Sequence, residues 1–212
     1  MAVTGRGEEC HAGPVTADSE TTTERRRLSG APDLVLCAVS EDLAAAWERA
    51  AQGRPDIRVH RGSVLDVPAQ AVVSPANSFG WMRGGIDAEY SEVFPTVEQH
   101  VRSAVLAYHG GELPVGQALI VPTDAARPAW LISAPTMREP SQTLAPDTVH
   151  PFLAARAVFR LWREGVLDDG VPVRAVVRTI AMPGLGTGVG QVPPESCARQ
   201  VAAAWDETFG AE

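Results

Sequence analysis

The 212-residue chain has only three cysteines, Cys10, Cys37 and Cys197, far apart and without a CxxC pair. That excludes a disulfide framework and a cysteine zinc site, and leaves buried apolar thiols as the expected role. The five histidines are also scattered, and no HxH or HExxH spacing sets two imidazoles on one metal. Neither a metal nor a cofactor is expected. No apolar run approaches the ~20 residues that cross a bilayer, and the N-terminus is charged where a signal peptide is apolar. The chain therefore reads as cytoplasmic, with no membrane partner. A surplus of positive charge is missing as well: the net charge of -8 argues against sequence-independent binding to a nucleic-acid backbone, which lysine and arginine drive. One bound diphosphate stays compatible, because screening confines long-range repulsion to about 8 Å at physiological salt and local N–H groups can hold an anion.

With 45% hydrophobic residues, the chain suffices for one well-buried core and is short for two full-sized domains. A monomer is expected. Residues 1–32 are rich in Gly, Thr, Ser, Glu and Arg, lack apolar periodicity, and read as a disordered tail. Within it, Arg25, Arg26 and Arg27 read as solvated charge, with an anion-docking patch as the lesser reading. Residues 33–212 then form the single domain.

From Leu34 the pattern alternates short apolar runs with helical stretches. Leu34 to Val39 is a buried-strand candidate, and Ser40 is placed to cap a helix with Glu41 and Asp42 in its first turn. Leu43, Ala46, Trp47 and Ala50 share that helix's face, and Gly53 ends it. Strands are predicted over 57–60, 71–73, 118–121, 130–133 and 173–180. Helices are predicted from about Pro95 to His109, across Phe152, Ala155, Phe159 and Trp162, and across Cys197, Val201, Trp205 and Phe209. Strands alternating with helices imply an α/β fold with a sheet covered on both faces.

Two glycine-bearing loops stand out. The first, residues 74–87, follows a strand directly and contains Asn77, Gly84, Gly85, Ile86 and Asp87. Ligands collect at the carboxyl ends of strands in open α/β sheets, and adjacent glycines let backbone N–H groups approach a phosphate or ribose. The bland alternative is that Gly84 and Gly85 make a turn and Asp87 starts a helix. The second loop runs Met182-Pro183-Gly184-Leu185-Gly186-Thr187-Gly188-Val189-Gly190 between the last strand and the last helix. Its alternating glycines suit an anion nest. It is neither a dinucleotide fingerprint, whose third glycine would fall at Val189 or Gln191, nor a P-loop, since no Gly-Lys-Ser/Thr follows.

Over roughly residues 56–210 the pair of loops resembles the macrodomain family. Val72-Val73-Ser74-Pro75-Ala76-Asn77 is similar to that family's Val-Asn-Ala-Ala-Asn, Gly84-Gly85-Ile86-Asp87 to its Gly-Gly-Val-Asp, and Gly186-Thr187-Gly188-Val189 to its Ser-Thr-Gly-Val. The resemblance implies a three-layer α/β/α fold with a central mixed sheet, and ADP-ribose or an ADP-ribosylated macromolecule as partner. Asn77 and Asp87 lie ten positions apart, as in the hydrolytic branch. The resemblance thus gives Asn77 the proximal ribose and Asp87 the attacking water, in hydrolysis of a mono-ADP-ribosyl bond. A non-catalytic ADP-ribose reader and an ADP-ribose 1''-phosphate phosphatase are the alternatives. It places the N–H groups of residues 184–190, beside Pro183, around the diphosphate, and Ser63, Val64, Ala76, Gly84, Gly85 and Ile86 elsewhere along the ligand.

Departures from the family accompany the match. Gly62-Ser63-Val64 stands where the family has Gly-Asp-Ile, so Ser63 bonds the adenine without charge. Ser74-Pro75 replaces the asparagine that opens the first loop, and the second loop is one residue shorter. Asn77-Ser78-Phe79-Gly80, with Ala134-Pro135-Thr136-Met137, resembles a divergent bacterial and phage-related subgroup. Asp87 is expected to be exposed, with an ordinary pKa near 4. Trp81 either stacks on the site or anchors the loop, and Arg83 reads first as solvated and second as a phosphate contact.

Overall fold

The computed structural model describes residues 30–210. Cys10, the three consecutive arginines and all but the last three residues of the expected tail lie outside the described residues.

The first strand shows how the layers arise. In β1 (Asp33–Ala38), Leu34, Leu36 and Ala38 join one apolar cluster while Val35 and Cys37 join another. Side chains alternate across a strand, so a strand apolar on both faces must be covered on both. Ser40 accepts a hydrogen bond from Leu43 N at 3.4 Å, and this cap starts α1 (Glu41–Ala51), which buries Leu43, Ala46, Trp47 and Ala50. The chain continues through β2 (Ile57–Arg61), a 3₁₀ turn (Val64–Asp66), β3 (Ala71–Ser74), α2 (Ile86–Val93) and α3 (Val97–His109). A left-handed Gly110 at φ 63° closes α3, a conformation that glycine adopts without a Cβ clash. Next come β4 (Leu119–Pro122), β5 (Trp130–Ser133), α4 (His150–Glu164), β6 (Thr179–Met182) and α5 (Pro194–Phe209).

The six strands lie in the order β2-β1-β6-β3-β5-β4. All neighbours are parallel except β4 and β5, so the sheet is mixed, with an antiparallel strand at one edge. Helices α1, α4 and α5 cover one face through Trp47, Phe159, Trp162 and Trp205. Helices α2 and α3 cover the other through Tyr90, Phe94, Val97, Val101 and Val105. The result is the three-layer α/β/α architecture. Each large apolar side chain so buried contributes roughly 1.5–3 kcal/mol.

The structure corrects one predicted element. Val173 to Ile180 is not one strand: Val173–Val176 is a helical turn entered from Pro172, and β6 begins only at Thr179. Val173 and Val177 are both fully buried four residues apart, a helical repeat that outweighs the β-branched composition.

Candidate functional site

Because β6 lies between β1 and β3, the chain diverges at the carboxyl ends of these three strands and leaves a crevice. A cavity of about 590 Å³ fills it. The segment after β2 supplies Gly62, Ser63 and Val64; the loop after β3 supplies Ala76, Asn77, Trp81, Arg83, Gly84, Gly85, Ile86 and Asp87. The loop after β6 supplies Pro183, Gly184, Gly186, Thr187, Gly188, Val189 and Gly190. Two loops separated by more than ninety residues thus meet across one cavity, and a Cβ on Gly85 would lie 3.9 Å from Val189 Cγ2.

Leu185 is the one expected ligand contact that does not line the cavity. Its side chain is fully buried in the core and its N–H is directed to Cys197 Sγ at 3.3 Å. An apolar side chain among glycines turns inward and takes its own N–H out of the nest. Elsewhere in the loop, the carbonyls of Gly186, Gly188 and Gly190 accept from the N–H groups of Val192, Gln191 and Leu144. Among the described residues, the N–H groups of Gly186, Thr187, Gly188 and Val189 have no acceptor within the protein. Carbonyls tied back and donors left free make a neutral anion cradle. Gly186 needs its glycine, with φ 70° and a would-be Cβ 3.2 Å from Val192; Gly188 does not, since a Cβ there meets nothing within 4 Å.

Asp87 departs most from expectation. It is not an exposed carboxylate: it is 6% accessible, on the second residue of α2, and accepts a 2.6 Å hydrogen bond from Ser74 Oγ. Burial pushes its pKa up to about 7, and the Ser74 hydrogen bond opposes that rise. The sequence reading missed Ser74, because nothing in the sequence shows that two residues thirteen apart meet. Asn77 is committed to its own loop. Its Oδ1 accepts from the N–H groups of Phe79 and Trp81 at 3.2 and 3.3 Å, and its Nδ2 donates to Trp81 O at 2.7 Å. One amide N–H remains for a ligand. Trp81 lines the cavity and carries the guanidinium groups of Arg83 and Arg102 at 4.4 and 3.5 Å from its ring centre.

Ser63 caps the 3₁₀ turn, accepting from Leu65 N at 3.2 Å, while its own N–H donates to Asp66 at 3.1 Å. Its hydroxyl proton stays free to donate. Cys37, Val39, Leu43, Pro75, Glu89, Met137, Pro140 and Ser141 complete the wall; none was singled out from the sequence as a ligand contact, though Met137 sits in the segment compared with the family. Burial holds the Cys37 thiol up at about 12, so it is an inert wall atom. Among the described residues no group of three or more His, Cys, Asp or Glu side chains is placed to hold a metal, and no helix is long and apolar enough to cross a membrane.

The Macro domain family model matches residues 73–201, which includes both loops. The chain is a macrodomain. A protein of Aquifex aeolicus is 34% identical to this macrodomain over 144 residues, covering 68% of this chain and 77% of its own. A Thermus aquaticus protein named DNA ADP-ribosyl glycohydrolase is 25% identical over 161 residues, 74% of this chain but 39% of its own length. The macrodomain of Mycobacterium tuberculosis DarG shares the fold with a TM-score of 0.57 at 19% identity, over 72% of this chain and 91% of that one. A macrodomain of Oceanobacillus iheyensis solved with ADPR superposes with a TM-score of 0.57 at 17% identity, over 71% and 76%.

Proposed function

We propose that this macrodomain binds ADP-ribose in the cavity and hydrolyses a mono-ADP-ribosyl bond, with Asp87 as the base. The free N–H groups of residues 186–189 face the diphosphate, and the remaining Asn77 amide N–H meets the proximal ribose. Asp87 takes a proton from a water whose oxygen attacks the anomeric carbon, and the bond to the leaving group breaks. Ligand recognition by the Oceanobacillus iheyensis protein and the name of the Thermus aquaticus relative support this reading.

The observation that carries it is the buried Asp87 on the cavity wall, with its pKa pushed up to about 7. A base is most effective when its pKa lies near the working pH, and a carboxylate near 4 would hold a proton far more weakly. Position and hydrogen bonding by Ser74 fix the orientation that proton abstraction needs.

The test is turnover on a panel of differently linked ADP-ribosyl substrates, with Asp87→Asn beside the parent. The variant is expected to bind ADP-ribose as the parent does and to lose roughly 10²- to 10⁴-fold in rate. Equal rates would remove Asp87 as the base. A parent that binds ADP-ribose and cleaves no substrate is a reader.

A further inference from the structure

Beside Ser74 on the sheet lies a hydroxyl that the proposed reaction has not used. Ser133 is 1% accessible, and its Oγ has no hydrogen-bond partner. A buried hydroxyl without a partner is costly, and such groups in native structures call for an explanation. Ser133 is the register neighbour of Ser74 on the adjacent parallel strand. Both project to the face covered by α2, since Val72 of β3 and Leu131 of β5 belong to that cluster. Adjacent strands lie about 4.8 Å apart, so rotation about one χ1 brings the two hydroxyls within reach.

We propose that Ser74 and Ser133 form a two-hydroxyl rotor that reverses its hydrogen bonds when Asp87 takes up a proton. With Asp87 ionised, Ser74 donates to the carboxylate and Ser133 stands by, as observed. When Asp87 accepts the proton of the attacking water, its new O–H becomes a donor. Ser74 then accepts from it and turns its own O–H to Ser133 Oγ. No proton passes through either serine; only the direction of donation changes. Both protonation states of a buried carboxyl thereby keep a matched partner. The device deepens the reading of Asp87 as a base and rests on it for its use in turnover.

The surroundings leave this role to the serines. Tyr90 on α2 is a titratable side chain that feels Asp87, and Cys37 on β1 and Glu89 on α2 in turn act on Tyr90. Tyr90 donates its hydroxyl to Val73 O at 3.0 Å, and burial keeps both it and Cys37 neutral. The second loop has no ionisable side chain, and among the described residues no cation pairs with Asp87.

The two serines move the midpoint in opposite directions, and that gives the test its sign. Ser74 bonds both forms but the charged one more strongly, so Ser74→Ala raises the Asp87 midpoint. Ser133 serves only the protonated form, so Ser133→Ala lowers it. Mere loss of polarity near a carboxyl would raise the midpoint in both variants. Carbon-detected NMR titration of the Asp87 carboxyl reads these midpoints without any substrate, so its outcome is independent of whether the protein turns over. A shift of roughly threefold to tenfold in proton affinity is expected, upward for Ser74→Ala and downward for Ser133→Ala, with Ser74→Thr and Ser133→Thr returning to the parent. Should Ser74→Ala fail to fold, Ser133→Ala still decides. An unmoved or raised midpoint in folded Ser133→Ala overturns the rotor, whereas absence of turnover in the parent overturns the hydrolase reading and leaves the rotor standing.

Discussion

Replacing Asp87 with Asn should make the protein more stable at alkaline pH. The buried carboxyl has its pKa moved from 3.8 to about 7, a shift of about three units at about 1.4 kcal/mol each, or about 4 kcal/mol as an upper bound. The sign follows from which state holds the proton more tightly. The folded state does, so stability from this group is greatest below the unfolded pKa of about 3.9, falls as pH rises towards about 7, and stays low above it. Asn removes that penalty, and Ser74 can still donate to its amide oxygen. What Asn forfeits is the charge-assisted part of the hydrogen bond and the favourable charge at the N-terminus of α2, roughly 0.3–2 kcal/mol. A net gain of about 1–3 kcal/mol at pH 8.5 is therefore expected. For a domain of this size that is a Tm rise of several degrees, about 2–4 °C per kcal/mol. Thermal melts of both proteins from pH 4.5 to 8.5 measure it, and the gap should open across pH 4–7. A destabilised variant at pH 8.5, or a gap that ignores pH, would refute the burial argument for Asp87.

Three further outcomes follow from the same geometry. Gly188→Leu should melt with the parent, since its Cβ meets nothing within 4 Å, yet lose at least tenfold in ADP-ribose affinity by calorimetry, because the side chain enters the anion cradle; unchanged affinity would remove that loop from the site. Gly186→Ala should lose roughly 1–3 kcal/mol in denaturant melts, because φ 70° and the contacts with Val192 and Leu144 forbid a relaxed Cβ; an unshifted midpoint would contradict this. Ser63→Asp should keep the 3₁₀ cap, which Asp also makes, and tighten ADP-ribose binding by supplying a charged acceptor for the adenine amino group; weaker binding would mean that another group reads the base.

The sequence exposed those parts of the fold that local pattern controls. Short apolar runs located β1 to β5, and Ser40 and Gly53 marked helix ends through capping chemistry that acts within a few residues. The segment at Val173 failed because β-branched residues favour strands only on average, and here a buried i, i+4 pair decided otherwise. The glycines that line the cavity were legible because their residue type itself signals a backbone role. Asp87 was misread because its burial comes from α2 packing on β3, a tertiary event that a lone aspartate in a glycine-rich loop does not announce. Ser74 was hidden for the same reason. Leu185 was counted among the N–H donors although its apolar side chain carries the signal that it turns inward. Cys37 and Val39 line the cavity only because β1 ends beside β6, which no local pattern reveals.

The proposed function requires the free N–H groups between Gly186 and Val189 to hold the diphosphate of ADP-ribose without help from a metal. Titration calorimetry of the parent with ADP-ribose in chelator-treated buffer tests it directly. Saturable binding that persists in the chelator and is lost in folded Gly188→Leu is expected; no heat of binding at millimolar ADP-ribose, or binding that requires a divalent ion, would contradict this function.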